Sequence, residues 1–191
     1  MLHLVGHDEP ELEGCGDTEG NVPIVPPAAV PDESECMCLL KQYHTPENVI
    51  AHCLAVSHKA VQIAKSLSIE LDVEMIEAAA LLHDIARAEK NHAEAGYIHL
   101  LRCGYPKVAA IVRTHHRLEP KDLENVTEST IVFYADKLVM ETKEVTLEER
   151  FKKSRESCLT PEAIASHETQ YNQALMARDL IDRFSHRRSP E

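Results

Sequence analysis

The run Glu77-Ala-Ala-Ala-Leu-Leu-His-Asp-Ile-Ala-Arg87 constrains this chain more than any other stretch. An apolar, alanine-rich segment of this kind reads as a helix, and Ala78, Ala79 and Ala80 let neighbouring helices come close. Such a helix belongs at the middle of a bundle rather than on its rim. Yet the run carries His83 beside Asp84, and burying two such groups is costly unless a metal or a charge partner compensates. The rest of the chain has to supply that partner.

The segments on either side read as helices with identifiable starts. Thr45-Pro46-Glu47 combines a hydroxyl cap, a proline at the first helical position and an acid in the first turn. From there Val49, Cys53, Val56, Ala60, Ile63, Ala64 and Leu67 recur at three- and four-residue steps, which predicts one helix to about Leu67. His52 lies beside that stripe, whereas His58, six positions on, faces elsewhere. Asp72 caps the alanine-rich helix, which is expected to run to Arg87 or Ala88. His92 opens a further helix closed by Gly104, and Pro106 starts another through Val108, Ile111 and Val112 to His115-His116. Residues 117–127 read as a polar loop. Ser129–Met140 is an apolar helix interrupted by Asp136-Lys137, the second place where a carboxylate interrupts a run that should be buried. Thr146 and Glu149 form a capping box, and Thr160-Pro161-Glu162 opens a last helix to about Phe184. No repeat and no strand is evident.

Composition narrows the classes. The 191 residues suffice for one core and are too few for two full domains, and the absence of Trp with only three Phe favours helices over a β sandwich. Residues 1–33 hold four of the six glycines and five of the ten prolines, and the first Lys or Arg is Lys41, so they read as an acidic, flexible segment. The domain is expected over 34–185, with a frayed tail at 186–191. A formal net charge of −12 argues against general nucleic-acid binding and leaves room for a small phosphorylated ligand only where cations reverse the field. No stretch is apolar for long enough to span a membrane, and no basic region precedes an apolar one at the N-terminus, so a cytoplasmic protein is expected. The six cysteines contain no CxxC pair and read as reduced thiols, with Cys36-Met37-Cys38 as core residues at a helix start rather than a metal site. His44, His99, His167 and His186 are assigned to packing, capping or solvent.

The polar residues on faces that should be buried are His52, His83, Asp84, His92, His115 and Asp136. Imidazole and carboxylate donors without thiolate suit one or two divalent ions such as iron, manganese, cobalt, nickel or zinc. The order H…HD…H…H…D resembles the HD superfamily of metal-dependent phosphohydrolases. The resemblance covers about residues 38–140 and rests on Val49-Ile-Ala-His52, Ala80-Leu-Leu-His-Asp-Ile-Ala-Arg87, His92-Ala-Glu-Ala-Gly96, Ile111-Val-Arg-Thr-His115-His116 and Tyr134-Ala-Asp-Lys-Leu138. It is strongest to the small stand-alone members with an HDIG-type signature, with Ala86 in place of their frequent glycine.

This resemblance implies an all-α, compact helical bundle without significant sheet, extended by C-terminal helices over 146–185. It implies that His52, His83, Asp84 and Asp136 hold a principal ion, and that His92 and His115, with Asp84 bridging, hold a second. His115 is preferred to His116 from the apolar spacing before it. Arg87 and Lys137 are implied as catalytic residues directed at substrate phosphate, with Asp84 at the centre; for Lys137, extension out of a core helix is an equal alternative. The implied activity is hydrolysis of a phosphomonoester or phosphodiester in a nucleotide or other small phosphorylated metabolite. A di-iron oxygenase using the same donors, or a non-catalytic metal-binding module, remains a competing expectation.

Overall fold

The structure, a computed structural model, describes residues 30–185. Positions 1–29 of the expected acidic segment and the tail expected over 186–191 lie outside the described residues. The described chain runs α1 (Glu33–Gln42), α2 (Glu47–Lys65), α3 (Val73–Leu82), α4 (His92–Arg102), α5 (Pro106–Thr114), α6 (Pro120–Glu124) and α7 (Glu128–Lys137), then β1 (Val139–Met140) and β2 (Lys143–Glu144), and ends with α8 (Leu147–Arg155) and α9 (Pro161–Phe184). It is an all-α bundle. Its sheet is one antiparallel pair, Val139 opposite Glu144 and Met140 opposite Lys143. Among the described residues no helix is long and apolar enough to cross a membrane.

Helix α3 is the centre, as its alanines require. Ile76 and every residue from Ala78 to Leu82 are buried, and α1, α2, α5 and α7 pack around it. The small side chains admit close neighbours, while Ile76, Leu81 and Leu82 supply apolar area worth about 1.5–3 kcal/mol each when fully buried. Helix α2 presents Ile50, Cys53, Val56, Ala60, Ile63 and Ala64 to this core, following the periodicity of its sequence. Gly96 of α4 marks a tight approach: a Cβ there would lie 3.2 Å from both Ile85 Cγ2 and Val112 Cγ1. A second, smaller core joins Phe133 of α7 to Leu147 and Phe151 of α8 and Ala174 and Ala177 of α9. The C-terminal helices thus stack on α7 and wall one side of what the first bundle encloses.

Several starts follow the sequence. Asp72, Thr146 and Thr160 each accept a hydrogen bond from the backbone N–H three residues on. Others differ. Thr45 does not cap α2; its hydroxyl donates to Ile85 O at 2.9 Å, joining the start of α2 to the segment after α3. Residues 120–124 form the short helix α6 rather than loop, because Asp122 turns inward and accepts from Thr127 Oγ1 at 2.8 Å. Helix α3 stops at Leu82 instead of Arg87, and residues 83–88 continue as successive turns with Ile85 N–H on Leu82 O and Arg87 N–H on Asp84 O. Cys36 is buried and Cys38 exposed, and burial, with the charges of nearby carboxylates, pushes the Cys36 thiol up to about 12, in keeping with its place in the core.

Candidate metal centre

Of the polar set, His83, Asp84, His115 and Asp136 are buried and His52 and His92 partly so, and every one comes from a helix end or a turn except His52, which projects from the first half of α2. The local reason is common to two of them. The last carbonyls of a helix have no intrahelical donor. His83, directly after α3, places its Nδ1 2.8 Å from Ala80 O, and His115, directly after α5, places its Nδ1 2.6 Å from Val112 O. Each imidazole therefore closes the helix it follows. His52 is tethered in the same manner by a longer route: its Nδ1 lies 2.8 Å from Glu141 O, at the turn between β1 and β2, where Glu141 adopts φ 57°. That left-handed conformation is uncommon for a glutamate and aims its carbonyl at α2.

A carbonyl only accepts, so in all three histidines Nδ1 is the donor and Nε2 carries the lone pair in the neutral ring. The three Nε2 atoms converge on two carboxylates. His52 Nε2 lies 3.1 Å from Asp136 Oδ1, and His83 Nε2 lies 3.8 Å from the same oxygen and 3.6 Å from Asp84 Oδ2. On the other side of Asp84, Oδ1 is 3.1 Å from His92 Nε2 and 3.6 Å from His115 Nε2. Lone pairs thus face lone pairs, an arrangement that requires protons or a cation between them. His83 Nε2, Asp84 Oδ1 and His115 Nε2 are buried without a hydrogen-bond partner. Ligands each about 2.1 Å from one ion stand about 3–4 Å apart. Two groups come near that spacing, His52 with His83 and Asp84, and His92 with His115 and His116, the donor atoms of each lying within 4.8 Å of one another. The donor set and its orphaned atoms fit a divalent metal, with Asp84 between the groups.

Electrostatics agree with ligands held in their deprotonated forms. Burial pushes His83 down to about 4, against the pull of Asp84 and Asp136. Burial likewise pushes His116 down to about 2, helped by His115, Lys137 and His92. Burial raises Asp84 and Asp136, but the surrounding histidines hold Asp84 below the usual carboxylate range, and Lys137 with His52 does the same for Asp136. His52 is raised instead: burial opposes its charge, and the hydrogen bond and charge of Asp136 outweigh that.

The two basic residues singled out from the sequence occupy different situations. Lys137 is buried, with Nζ 2.6 Å from Asp136 Oδ2 and 3.1 Å from His115 O, which leaves one of its three N–H donors for the cleft. Arg87 is half exposed at the mouth, with Nε 3.8 Å from Asp84 Oδ2 and Nη1 3.1 Å from His92 Nε2. The residues open into a cleft of about 850 Å³ whose far wall is built by α8 and α9.

The structure brings all eight expected residues to this one place and adds others. His116 stands 2.7 Å from His92 Nε2 in the second group, so both members of the His115-His116 pair reach the centre. Arg150 and His167 line the cleft from the C-terminal helices. His167 Nε2 lies 2.9 Å from Ser154 Oγ and 3.0 Å from Phe151 O, joining α9 to α8. The adjacent histidines signalled His116; nothing in the spacing of a polar surface helix distinguishes Arg150 from its neighbours.

Comparison with known proteins places this centre in context. The HD domain family model matches residues 49–141, which include every histidine and aspartate of the centre. An uncharacterized protein of Methanocaldococcus jannaschii is 35% identical over 127 residues, covering 56% of this chain and 75% of that protein. A tRNA (cytidine(56)-2'-O)-methyltransferase of Thermoplasma volcanium is 38% identical over 90 residues, covering 45% of this chain and 26% of that protein. The protein of the same description from Picrophilus torridus is 34% identical over 87 residues, covering 41% and 25%. The chain thus spans about a quarter of the length of these two methyltransferases. No solved structure matches it.

Proposed function

Because this chain belongs to the HD domain family, a superfamily of metal-dependent hydrolases, we propose that it is a phosphohydrolase cleaving a phosphomonoester or phosphodiester bond in a nucleotide or other small phosphorylated metabolite. The observation that carries this reading is Asp84: its two oxygens face separate groups of inward-aimed imidazole nitrogens, in a cleft large enough for a nucleotide. His52, His83, Asp84 and Asp136 would hold one ion, and His92, His115 and His116, with Asp84 shared, a second. Bound there, divalent ions supply Lewis acidity toward phosphoryl oxygens and a water acidified to near neutral pH.

The chain's own groups do the rest. The carbonyls of Ala80, Val112 and Glu141 fix the tautomers of His83, His115 and His52, so that their Nε2 lone pairs are aimed before any ligand arrives. Lys137 keeps Asp136 ionised and oriented. Its remaining donor and the Arg87 guanidinium at the mouth are the groups of this centre suited to non-bridging phosphate oxygens, Arg87 in a bidentate manner.

The reading is tested by stripping the protein of metal, reloading it separately with manganese, iron, cobalt, nickel and zinc, and assaying phosphate release. The substrate panel comprises nucleoside mono-, di- and cyclic phosphates and dinucleoside polyphosphates. Release with several divalent ions is expected. Failure with every metal and substrate, or turnover that requires iron and oxygen together, would overturn it.

A further inference from the structure

The far wall of the cleft contains a cation that makes no ion pair with the metal centre among the described residues. Three basic side chains line the cleft: Arg87, Lys137 and Arg150. Arg87 lies against Asp84 and His92, and Lys137 is held by Asp136 and the His115 carbonyl. Arg150, half-buried on α8, makes neither an ion pair nor a side-chain hydrogen bond among the described residues, in a chain with 32 acidic residues against 20 basic ones. A guanidinium that lines the cleft with no ion pair among the described residues is available to an anion that enters it. Its charge also helps to hold Asp136 ionised, which sets it within electrostatic reach of the centre.

The cleft itself is too large for one phosphate. At about 850 Å³ it extends from the histidines across to Arg150, Ser166 and Gln170 on the C-terminal helices. This wall lies beyond residue 141, where the family match ends. We propose that Arg150 binds a second anionic group of the substrate, apart from the phosphorus that reacts beside Asp84, so that the cleft selects ligands with two linked phosphates over those with one. The planar guanidinium suits bidentate contact with such a group. The inference rests on the phosphohydrolase reading for the word substrate, and its test reads binding alone.

Calorimetric titration of the metal-loaded protein with orthophosphate and with methylenediphosphonate, which cannot be hydrolysed at its bridge, provides that test. The parent should bind the diphosphonate at least about tenfold more tightly, the magnitude of one charge-assisted pair. Arg150→Gln should remove most of that advantage while changing orthophosphate affinity far less, and Arg150→Lys should fall between, since it keeps the charge without the fork. Lys152→Gln, on the exposed side of the same helix, should leave both affinities as in the parent. An undiminished advantage in Arg150→Gln, equal weakening of both ligands, or no advantage in the parent would each overturn the proposal. Should the parent release no phosphate in the activity assay yet show this pattern, the hydrolase reading fails and the second-anion site stands.

Discussion

The two groups that meet at Asp84 are built to different standards. On one side, His52 and His83 are each tethered through Nδ1 to a backbone carbonyl, and Asp136 is pinned by the buried Lys137 ammonium. On the other, only His115 has such a tether. His92, at the start of α4, has no backbone tether among the described residues; besides the shared Asp84, its close partners are Arg87 Nη1 and His116 Nε2, and the first of these ends a half-exposed side chain. The first group is fixed by main chain, the second by side chains able to move. Fixed donors lose less freedom on binding, so the first group should hold its ion more tightly and the second should exchange.

The largest effect should come from the residue the two groups share. Asp84→Asn removes the only carboxylate common to both, and loss of activity should exceed the roughly 10–100-fold that removal of a supporting residue costs. Elemental analysis of the same preparation should show both ions reduced; full metal content would place the centre elsewhere. The asymmetry itself is tested next. His92→Ala should keep one ion per chain through dialysis, whereas His83→Ala should retain none tightly. Equal loss in the two variants would break the comparison.

Lys137 probes why the first group is rigid. Lys137→Met leaves the buried Asp136 carboxylate without its strongest partner, and breaking a buried pair costs about 3–5 kcal/mol. Urea unfolding of metal-free protein should show a loss of that order, shrinking on metal addition because an ion replaces the missing charge. A loss that metal does not reduce would mean that Lys137 acts through packing over Phe133, whose ring centroid is 4.8 Å from Nζ. The smallest effect is expected for Thr45→Val, which removes the hydrogen bond to Ile85 O and should cost about 1 kcal/mol. Metal content should be unchanged, since the turn after α3 keeps its other hydrogen bonds; a drop would show that α2 positions His83 and Asp84 through Thr45.

Much of the centre could be read from the chain because its local causes are local in sequence. A cap such as Asp72 or Thr146 acts within three residues, and the apolar steps from Cys53 through Val56, Ala60 and Ile63 to Ala64 identify the buried face of α2 without its neighbours. His83, Asp84 and Asp136 stood out because charge inside an apolar run demands compensation. The end of α3 was not legible in this way. Periodicity continues to Arg87, but His83 takes the carbonyl of Ala80, and the Ile85 carbonyl is met by Thr45, forty positions earlier. Thr45 looked like a cap for the same reason, since only its distant partner shows that the hydroxyl is engaged elsewhere.

The sequence alone determined the helical class, the central place of the alanine-rich helix and the ordered set of imidazoles and carboxylates, because composition and helical spacing are properties of single segments. Tertiary structure decided how that set divides. It put His116 beside His92, carried Lys137 Nζ to the His115 carbonyl, and turned α8 so that Arg150 faces the cleft rather than solvent. Each of these depends on what lies across a gap between elements far apart in sequence, and helical periodicity specifies which face is buried without specifying what it is buried against.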